Sequence, residues 1–389
     1  MHICFLCSEY PPINNGGVGA YTQSLGRGLV KKGHDVTVIG FYRQKSRTEE
    51  NDEGVKLIKL PDAKLPGIKY YQKARMLEKE ILARHKESSI DLIEGPNSAN
   101  ALLSSKLPMA VLMRFHGGHR YFAHTTGRKT LRRRILLEDR ALKNSDFYCS
   151  VSKFNAQANK ILLAKPDMPI DVIYNSVDTD IFTPDPQIKP VKGLFLFIGT
   201  IAEKKGVKQL IGAIPTVLEQ NPTAALWLVG KDWIDKNTGR NLRKDLEKEI
   251  PDKFKDRVVF KGPKPHNEIK DLMNTAEICV FPSLMEAHPV VWLEAMSCAR
   301  PIVASNTGAA EEIITHLETG FLCNPYRPEK IAEALLYMLE HREEAKEMGL
   351  KARTWIIENL SRDQIINENI AMFERIVDEH KSKKSIGVS

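Results

Sequence analysis

The chain has 389 residues, 42% hydrophobic and 27% charged, a soluble globular composition too long for one comfortable core, so two domains are expected. No apolar run of about eighteen residues occurs, which argues against a spanning helix. The start MHICFLCSEYPP enters a strand without a basic n-region or a cleavage site, so a cytoplasmic location is expected. The formal net charge of +8 is uneven: residues 1–190 hold 29 Lys and Arg against 20 Asp and Glu, and the rest hold 28 against 29.

His2 to Cys7 reads as a strand, followed by a loop containing Gly16-Gly17-Val18-Gly19 and a helix from Ala20 to Lys32. Strand, glycine-rich loop and helix in that order open a doubly wound sheet. Thr22 stands where the dinucleotide fingerprint needs its third glycine, which argues against an NAD pocket. What remains at Gly16 and Gly17 is a backbone turn that a ligand can approach closely. The six cysteines are scattered through apolar segments. Cys4 and Cys7 point to opposite faces of one strand with no second pair to complete a zinc site, so buried thiols are expected.

Strands follow at Val36–Phe41 and Val55–Leu60, then a basic helix from Gly67 to His85, then strands at Ile90–Glu94 and Met109–Phe115. The last runs into His116-Gly117-Gly118-His119. Open α/β sheets bind ligands at the carboxyl ends of their strands, so His116, with two glycines clearing space beside it, is a candidate site residue. Arg128, Lys129, Arg132, Arg133 and Arg134 cluster beside Leu131, Ile135, Leu136 and Leu137, the pattern of a basic amphipathic helix that lies on an anionic membrane surface. No aromatic platform or binding motif accompanies this charge, so no nucleic acid partner is expected. Strands at Phe147–Val151 and Asp171–Tyr174 end the half. Asp178-Thr179-Asp180 spells a metal-binding DxD, but it lies in a turn leading out of the domain, and no metal is expected there. Pro184–Lys192 is the expected linker, with domains at 1–186 and 187–365.

A second α/β unit begins with the strand Leu194–Ile198 and the loop Gly199–Gly206, where the Lys205 ammonium can neutralise a phosphate as a point charge. The helix Val207–Glu219, strands Ala224–Val229 and Val258–Phe260, the helix Asn267–Thr275 and the strand Ile278–Phe281 follow. A helix is then predicted from Pro289 to Cys298, proline being tolerated at the first helical position. Its free amides, at Val290 and Val291, and the positive end of its dipole suit a phosphate. Glu294 lies four residues on, about 6 Å along the axis on nearly the same face, where it can accept from two ribose hydroxyls. It is the lone charge between Ala287 and Ala299. Glu286, in the preceding loop, would face the other end of a nucleotide-linked ligand. A strand at Pro301–Ser305 and a helix starting within Gly308–Ile314 complete the reading. Two such units joined by a linker place a ligand cleft between domains.

The Gly16-Gly17 loop, His116-Gly117, Asn175-Ser176-Val177-Asp178, Lys205-Gly206, the Glu286 and Glu294 pair and Gly308 through Glu312 together resemble the retaining GT4 glycosyltransferases of GT-B fold, over nearly the whole chain. The resemblance implies two Rossmann-like domains, with a C-terminal helix at about 366–389 crossing back to complete the first. It implies a nucleotide-sugar donor, commonly a UDP-sugar, and a glycan, lipid-linked or small-molecule acceptor, without metal or cofactor. The basic cluster extends the expected cytoplasmic location to the inner face of the membrane, with cell-surface polysaccharide synthesis as the expected setting. Glu294 would bind ribose; Val290, Val291 and Lys205 the diphosphate; the backbone near Lys264 the base. Gly16 and Gly17 would complete the donor site, and Glu286 and His116 would face the transferred sugar and the acceptor. Many relatives carry arginine where this chain has Thr200, which leaves the diphosphate clamp to Lys205 and the helix start. The alternative is a nucleotide-sugar 2-epimerase sharing the same fold.

Overall fold

A computed structural model describes residues 1–12, 16–63, 68–104, 107–126, 130–234 and 238–386. The chain forms two compact units, 1–175 with 363–389, and 176–362.

The first unit is built on β1 (His2–Leu6), β2 (Asp35–Tyr42), β3 (Thr48–Asp52), β4 (Val55–Pro61), β5 (Leu92–Pro96), β6 (Ala110–Phe115), β7 (Phe147–Ser150) and β8 (Asp171–Val172). They are ordered β3-β4-β2-β1-β5-β6-β7-β8. All pairings are parallel except the hairpin of β3 on β4. Sheets covered by helices on both faces bury their strands throughout, and β1 and β6 are buried at every residue. The order reverses between β1 and β5, which marks the switch point of this sheet. The edge strand β3, TEEND, is charged and exposed, and its sequence carries no strand signal.

The first helix is Gly17–Lys31, so Gly17 and Gly19 form its opening turn instead of a loop ahead of Ala20. A Cβ on Gly28 would lie 2.0 Å from Ile366 Cδ1, so this glycine admits the C-terminal helix Arg362–Ile386. That helix belongs to the first unit from Asp363 onward. Its Asn369 is fully buried and accepts from Arg114 Nη2 at 2.6 Å. Arg114 is itself fully buried and paired to Glu94 through both oxygens at 2.7 and 2.9 Å.

The second unit holds β9 (Val191–Ile198), β10 (Ala225–Val229), β11 (Val258–Gly262), β12 (Ala276–Phe281), β13 (Ile302–Ser305) and β14 (Phe321–Cys323), all parallel, ordered β11-β10-β9-β12-β13-β14. Its switch point lies between β9 and β12. The helix Val207–Gln220 buries Val207, Leu210, Ile211, Ile214, Val217 and Leu218 on one stripe at three- and four-residue spacing. Each such side chain contributes about 1.5–3 kcal/mol on burial.

Two expectations are corrected. The stretch Pro184–Lys192 is not a linker between units but part of the second: Asp185 N–H donates to Asn274 Oδ1 at 3.1 Å, Ser297 Oγ donates to the Phe182 carbonyl at 2.5 Å, and Val191 already pairs with Ala276. Proline density there reflects a chain lying along the domain surface. The helix expected from Gly308 is only a 3₁₀ turn, Ala310–Glu312, with Gly308 in the left-handed region at φ 65°. Asp178 is held by its own turn, accepting from Asp180 and Ile181 N–H, and by an ion pair with Arg362. All six cysteines are buried free thiols, and burial pushes Cys4 up to about 12.

Removing one partner of a buried ion pair strands the other charge, which costs about 3–5 kcal/mol. Arg114→Met is therefore expected to lower the denaturation midpoint sharply, with Arg114→Met/Glu94→Leu recovering much of the loss. A double variant no more stable than the single one would show that the pair is not coupled.

Candidate active site

The site of the second unit is set by two glycines. Gly206 has φ 68°, and a Cβ there would lie 1.8 Å from the Pro282 carbonyl oxygen, so the Lys205-Gly206 turn rests directly on the loop after β12. Leu284 N–H donates to the Lys204 carbonyl at 2.9 Å. From the other side, Thr307 Oγ1 donates to the Ser283 carbonyl at 3.1 Å, and a Cβ on Gly308 would fall 2.3 Å from Glu286 O. The 282–286 loop is thus gripped on both flanks. Its Glu286 carboxylate forms an ion pair with Lys205 and accepts from Ser283 Oγ at 2.8 Å. Lys205 and Glu286, expected at different parts of a ligand, are direct partners. Burial, and then the charge of Lys205, hold the Lys204 ammonium below the usual lysine range.

Past this loop the helix is Val290–Ser297, with Pro289 at the N-cap (φ −80°, ψ 112°) instead of the first helical position. The helix therefore begins at Val290, one residue later than expected. No side chain caps the helix; Val290 and Val291 are partly exposed, whereas Trp292 to Ser297 are buried. Glu294 is 8% exposed, and its Oε1 lies 3.0 Å from Nε2 of His266, whose ring is two-thirds exposed. That hydrogen bond raises the pKa of His266. His266 was not singled out by the sequence, although its place after Lys264-Pro265, at the carboxyl end of β11, was a signal of the kind that identified His116. The Lys264 ammonium lies 3.2 Å from Glu268 on the following helix. Thr200 follows Gly199 at the end of β9, where the strand ends crowd: a Cβ on Gly230 would lie 1.8 Å from the Gly199 carbonyl oxygen. His288 is buried, which lowers its pKa to about 3, so its ring is neutral.

In the first unit, Gly16 caps the Gly17–Lys31 helix in extended conformation, and the adjoining amides meet a carboxylate of the protein itself. Gly19 N–H donates to Glu9 Oε1 at 3.2 Å, and a Cβ on Gly16 would lie 2.5 Å from that carboxylate. Gly17 has open space where a Cβ would stand. The turn expected to be clear for a ligand at Gly16 and Gly17 is therefore partly filled by Glu9. Beside it, at the switch between β1 and β5, is a cavity of about 320 Å³ lined chiefly by Leu6, Ile39, Phe41, Leu77 and Leu102, with Glu9 at its polar side.

His116 follows β6. Asn97, in the left-handed region at φ 44° that asparagine tolerates, accepts from His116 N–H at 3.1 Å. The imidazole meets the Tyr21 ring edge-on at 4.7 Å, and Tyr21 OH donates to Glu94 at 3.3 Å. Burial, then the Arg114 charge, push His116 down to about 3, so it is neutral at physiological pH. In the basic segment, Arg132, Arg133 and Arg134 are exposed at the start of the helix Arg132–Lys143, with Leu131 and Leu136 exposed beside them; Arg128 and Lys129 lie outside the described residues. Among the described residues no helix is long and apolar enough to cross a membrane.

A family model described as Glycosyltransferase Family 4 matches residues 15–181, and one described as Glycosyl transferases group 1 matches residues 178–355. An uncharacterised glycosyltransferase of Methanocaldococcus jannaschii is 26% identical over 96% of this chain and 98% of its own. A GDP-mannose-dependent α-(1-6)-phosphatidylinositol monomannoside mannosyltransferase of Mycobacterium tuberculosis is 23% identical over 91% of this chain and 93% of its own. Among solved structures, sucrose-phosphate synthase from Thermosynechococcus elongatus matches with TM-score 0.81 at 20% identity, covering 97% of this chain and 99% of that one. Anabaena HepE in complex with UDP and glucose matches with TM-score 0.76 at 18% identity, covering 96% and 100%. These likenesses agree with the two parallel-sheet units in fold. With two family models matched in succession and relatives named as glycosyltransferases along nearly its whole length, the chain belongs to the group 1, family 4 glycosyltransferases of GT-B fold.

Proposed function

We propose that the enzyme moves a sugar, with retention of configuration, from a UDP-sugar to a glycan, lipid-linked or small-molecule acceptor, without a metal. The observation that carries this reading is the succession of Lys205, an uncapped helix start at Val290 and a nearly buried Glu294 one turn on. The order suits a diphosphate followed by ribose. Val290 and Val291 N–H and the Lys205 ammonium bind the diphosphate and stabilise the charge that develops on the leaving oxygen. Glu294 accepts from the ribose, and the backbone near Lys264 and Thr200 borders the base and phosphate. UDP as the nucleotide draws support from HepE, solved with UDP and glucose.

Because Glu286 is paired to Lys205, a diphosphate competes with that carboxylate for the ammonium, and Glu286 is then released towards the transferred sugar. Glu286 positions the sugar and is not a covalent nucleophile; the donor phosphate takes the acceptor proton on the same face. In the first unit His116, neutral, offers one hydrogen-bond donor and one acceptor to a hydroxyl of sugar or acceptor. The 320 Å³ cavity, mostly apolar, suits the apolar portion of a lipid-linked acceptor. Gly16 and Gly17 admit the donor once Glu9 shifts. Arg128, Lys129, Arg132, Arg133 and Arg134 hold the enzyme on the anionic inner face of the membrane, where cell-surface polysaccharide is begun. The 2-epimerase alternative draws no support from the matched families.

Incubation with labelled nucleotide sugars and an acceptor is expected to release the nucleoside diphosphate and label the acceptor. A changed sugar still joined to its nucleotide would favour epimerisation.

In calorimetry with UDP, Lys205→Ala and Glu294→Ala are each expected to weaken binding about ten- to a hundredfold, since a charge-assisted contact is lost. Glu286→Gln frees Lys205 and should bind at least as tightly as the parent, while Glu286→Gln and His116→Ala lose turnover by about a hundredfold or more. Unchanged affinity in Glu294→Ala would defeat the ribose assignment.

Sedimentation with vesicles is expected to rise with anionic lipid, to fall as salt is raised and to weaken in Arg132→Glu/Arg133→Glu/Arg134→Glu. Equal sedimentation with neutral and anionic vesicles would remove the membrane contact.

A further inference from the structure

His266 lies outside every role assigned above. Its Nε2 is 3.0 Å from Oε1 of Glu294, and the ring is two-thirds exposed where the carboxylate is almost wholly buried. A group approaching Glu294 from solvent meets this imidazole. Phe182 stands edge-on to the ring at 5.3 Å and limits where it can turn. We infer that His266 is a donor-site residue which the ribose displaces from Glu294, so that binding of the nucleotide sugar expels a proton. This rests on the assignment of Glu294 to the ribose.

Glu294 is only 8% exposed and its Oε1 is covered by the His266 ring, so two vicinal hydroxyls reach the carboxylate together only when the ring moves aside. The imidazolium form is favoured only while that contact lasts. His266 is the first residue of the helix His266–Thr275, at the positive end of its dipole, a poor place for a cation. The charged groups around it are few. Glu294 faces it from the Val290–Ser297 helix; on its own side Lys264 and Glu268 pair with each other at 3.2 Å; Phe182, from the 176–184 segment, brings no charge. Once parted from Glu294 the imidazolium loses the hydrogen bond that most favours its charge and gives up its proton to solvent.

The direction with pH follows. Contact with Glu294 raises the pKa of His266 above its ordinary value, and displacement removes that cause. Between the two values one proton leaves per ligand bound. At higher pH the ring is neutral in both states and nothing is released; at lower pH it is charged in both, and affinity is weakest because an ion pair must be separated. Affinity rises with pH through the window and then levels off.

The test is titration calorimetry of the whole chain with UDP-glucose and with GDP-mannose, whose diphosphate diesters do not titrate near neutrality. Binding is measured at pH 7 in buffers of different ionisation enthalpy and across pH 6 to 8. The expected result is a heat that depends on the buffer, corresponding to release of a substantial fraction of one proton, with several-fold tighter binding at pH 8 than at pH 6. His266→Gln and His266→Ala should bind with no proton exchange and a flat pH dependence, and more tightly than the parent at pH 6. Buffer-independent heat in the parent, proton release that persists in His266→Ala, or a loss of affinity in both His266 variants at every pH would overturn the inference while leaving the ribose reading in place. Failure of both nucleotide sugars to bind, or full affinity in Glu294→Ala, would overturn the ribose reading and this inference with it.

Discussion

The chemistry of the second unit depends on one backbone contact, the approach of the Gly206 turn to the Pro282 carbonyl. With the Cβ position only 1.8 Å from that oxygen, no other residue fits without moving the loop. Because the contact lies at the reversal of strand order between β9 and β12, it joins the loops that follow two neighbouring strands. Everything downstream inherits this placement. Leu284 is tied to Lys204, Glu286 is aimed at Lys205, and Pro289 delivers the chain to a helix whose first residues stay accessible while the rest is buried. In a pair this far buried the cost of desolvating both charges offsets much of their attraction, so the pair gives little net stability on its own. Its value here is in orientation, because both partners hang from loops that are fixed by backbone contacts.

The first unit reaches the same end by burial. Arg114 and Glu94 are removed from water as a bidentate pair, Asn369 from the last helix accepts from Nη2 of Arg114 at 2.6 Å, and Nη1 lies 3.1 Å from Cys149 Sγ. Tyr21 links this pair to the His116 ring, edge-on at 4.7 Å. Burial, and then a cation fixed two residues away, disfavour a charge on His116, so the imidazole remains able both to donate and to accept. The last helix is thereby a part of the His116 environment, although it lies more than two hundred residues away in sequence.

The legible parts of this protein were those governed by local rules. Apolar runs marked most strands, several of them ending at glycine, as at Gly199 and Gly230, and Pro289 before Val290 marked the helix start to within one residue. Glu294 stood out because no other charge shares its segment. The partners were not legible, because a pairing depends on tertiary approach: nothing at Lys205 points to a residue 81 positions later, and nothing at Glu294 names His266. Nothing in the sequence at Glu9 tells it from any loop carboxylate, and only the folded turn brings it to Gly16 and Gly19. β3 escaped because an exposed edge strand can be wholly polar. Pro184–Lys192 misled for the opposite reason, since proline marks absence of periodicity without telling a linker from a segment laid along a surface.

A common feature emerges from these partners. The Lys205 ammonium holds Glu286, the Gly19 amide holds Glu9, the Glu294 carboxylate holds His266, and the start of the His119–Thr126 helix holds Glu138 through His119 N–H at 2.5 Å and Arg120 N–H at 3.3 Å. Each of these four groups already carries a protein substitute of the right polarity. Binding is then an exchange of one hydrogen-bonded partner for another, so its net free energy is a difference between similar terms, far below the sum of the contacts made. For the donor site proposed above, geometry then counts for more than charge alone: a phosphate would replace the carboxylate at Lys205 only by engaging the Val290 and Val291 amides together with it. A ligand able to make the diphosphate and ribose exchanges together gains from both at once, because the second becomes intramolecular after the first.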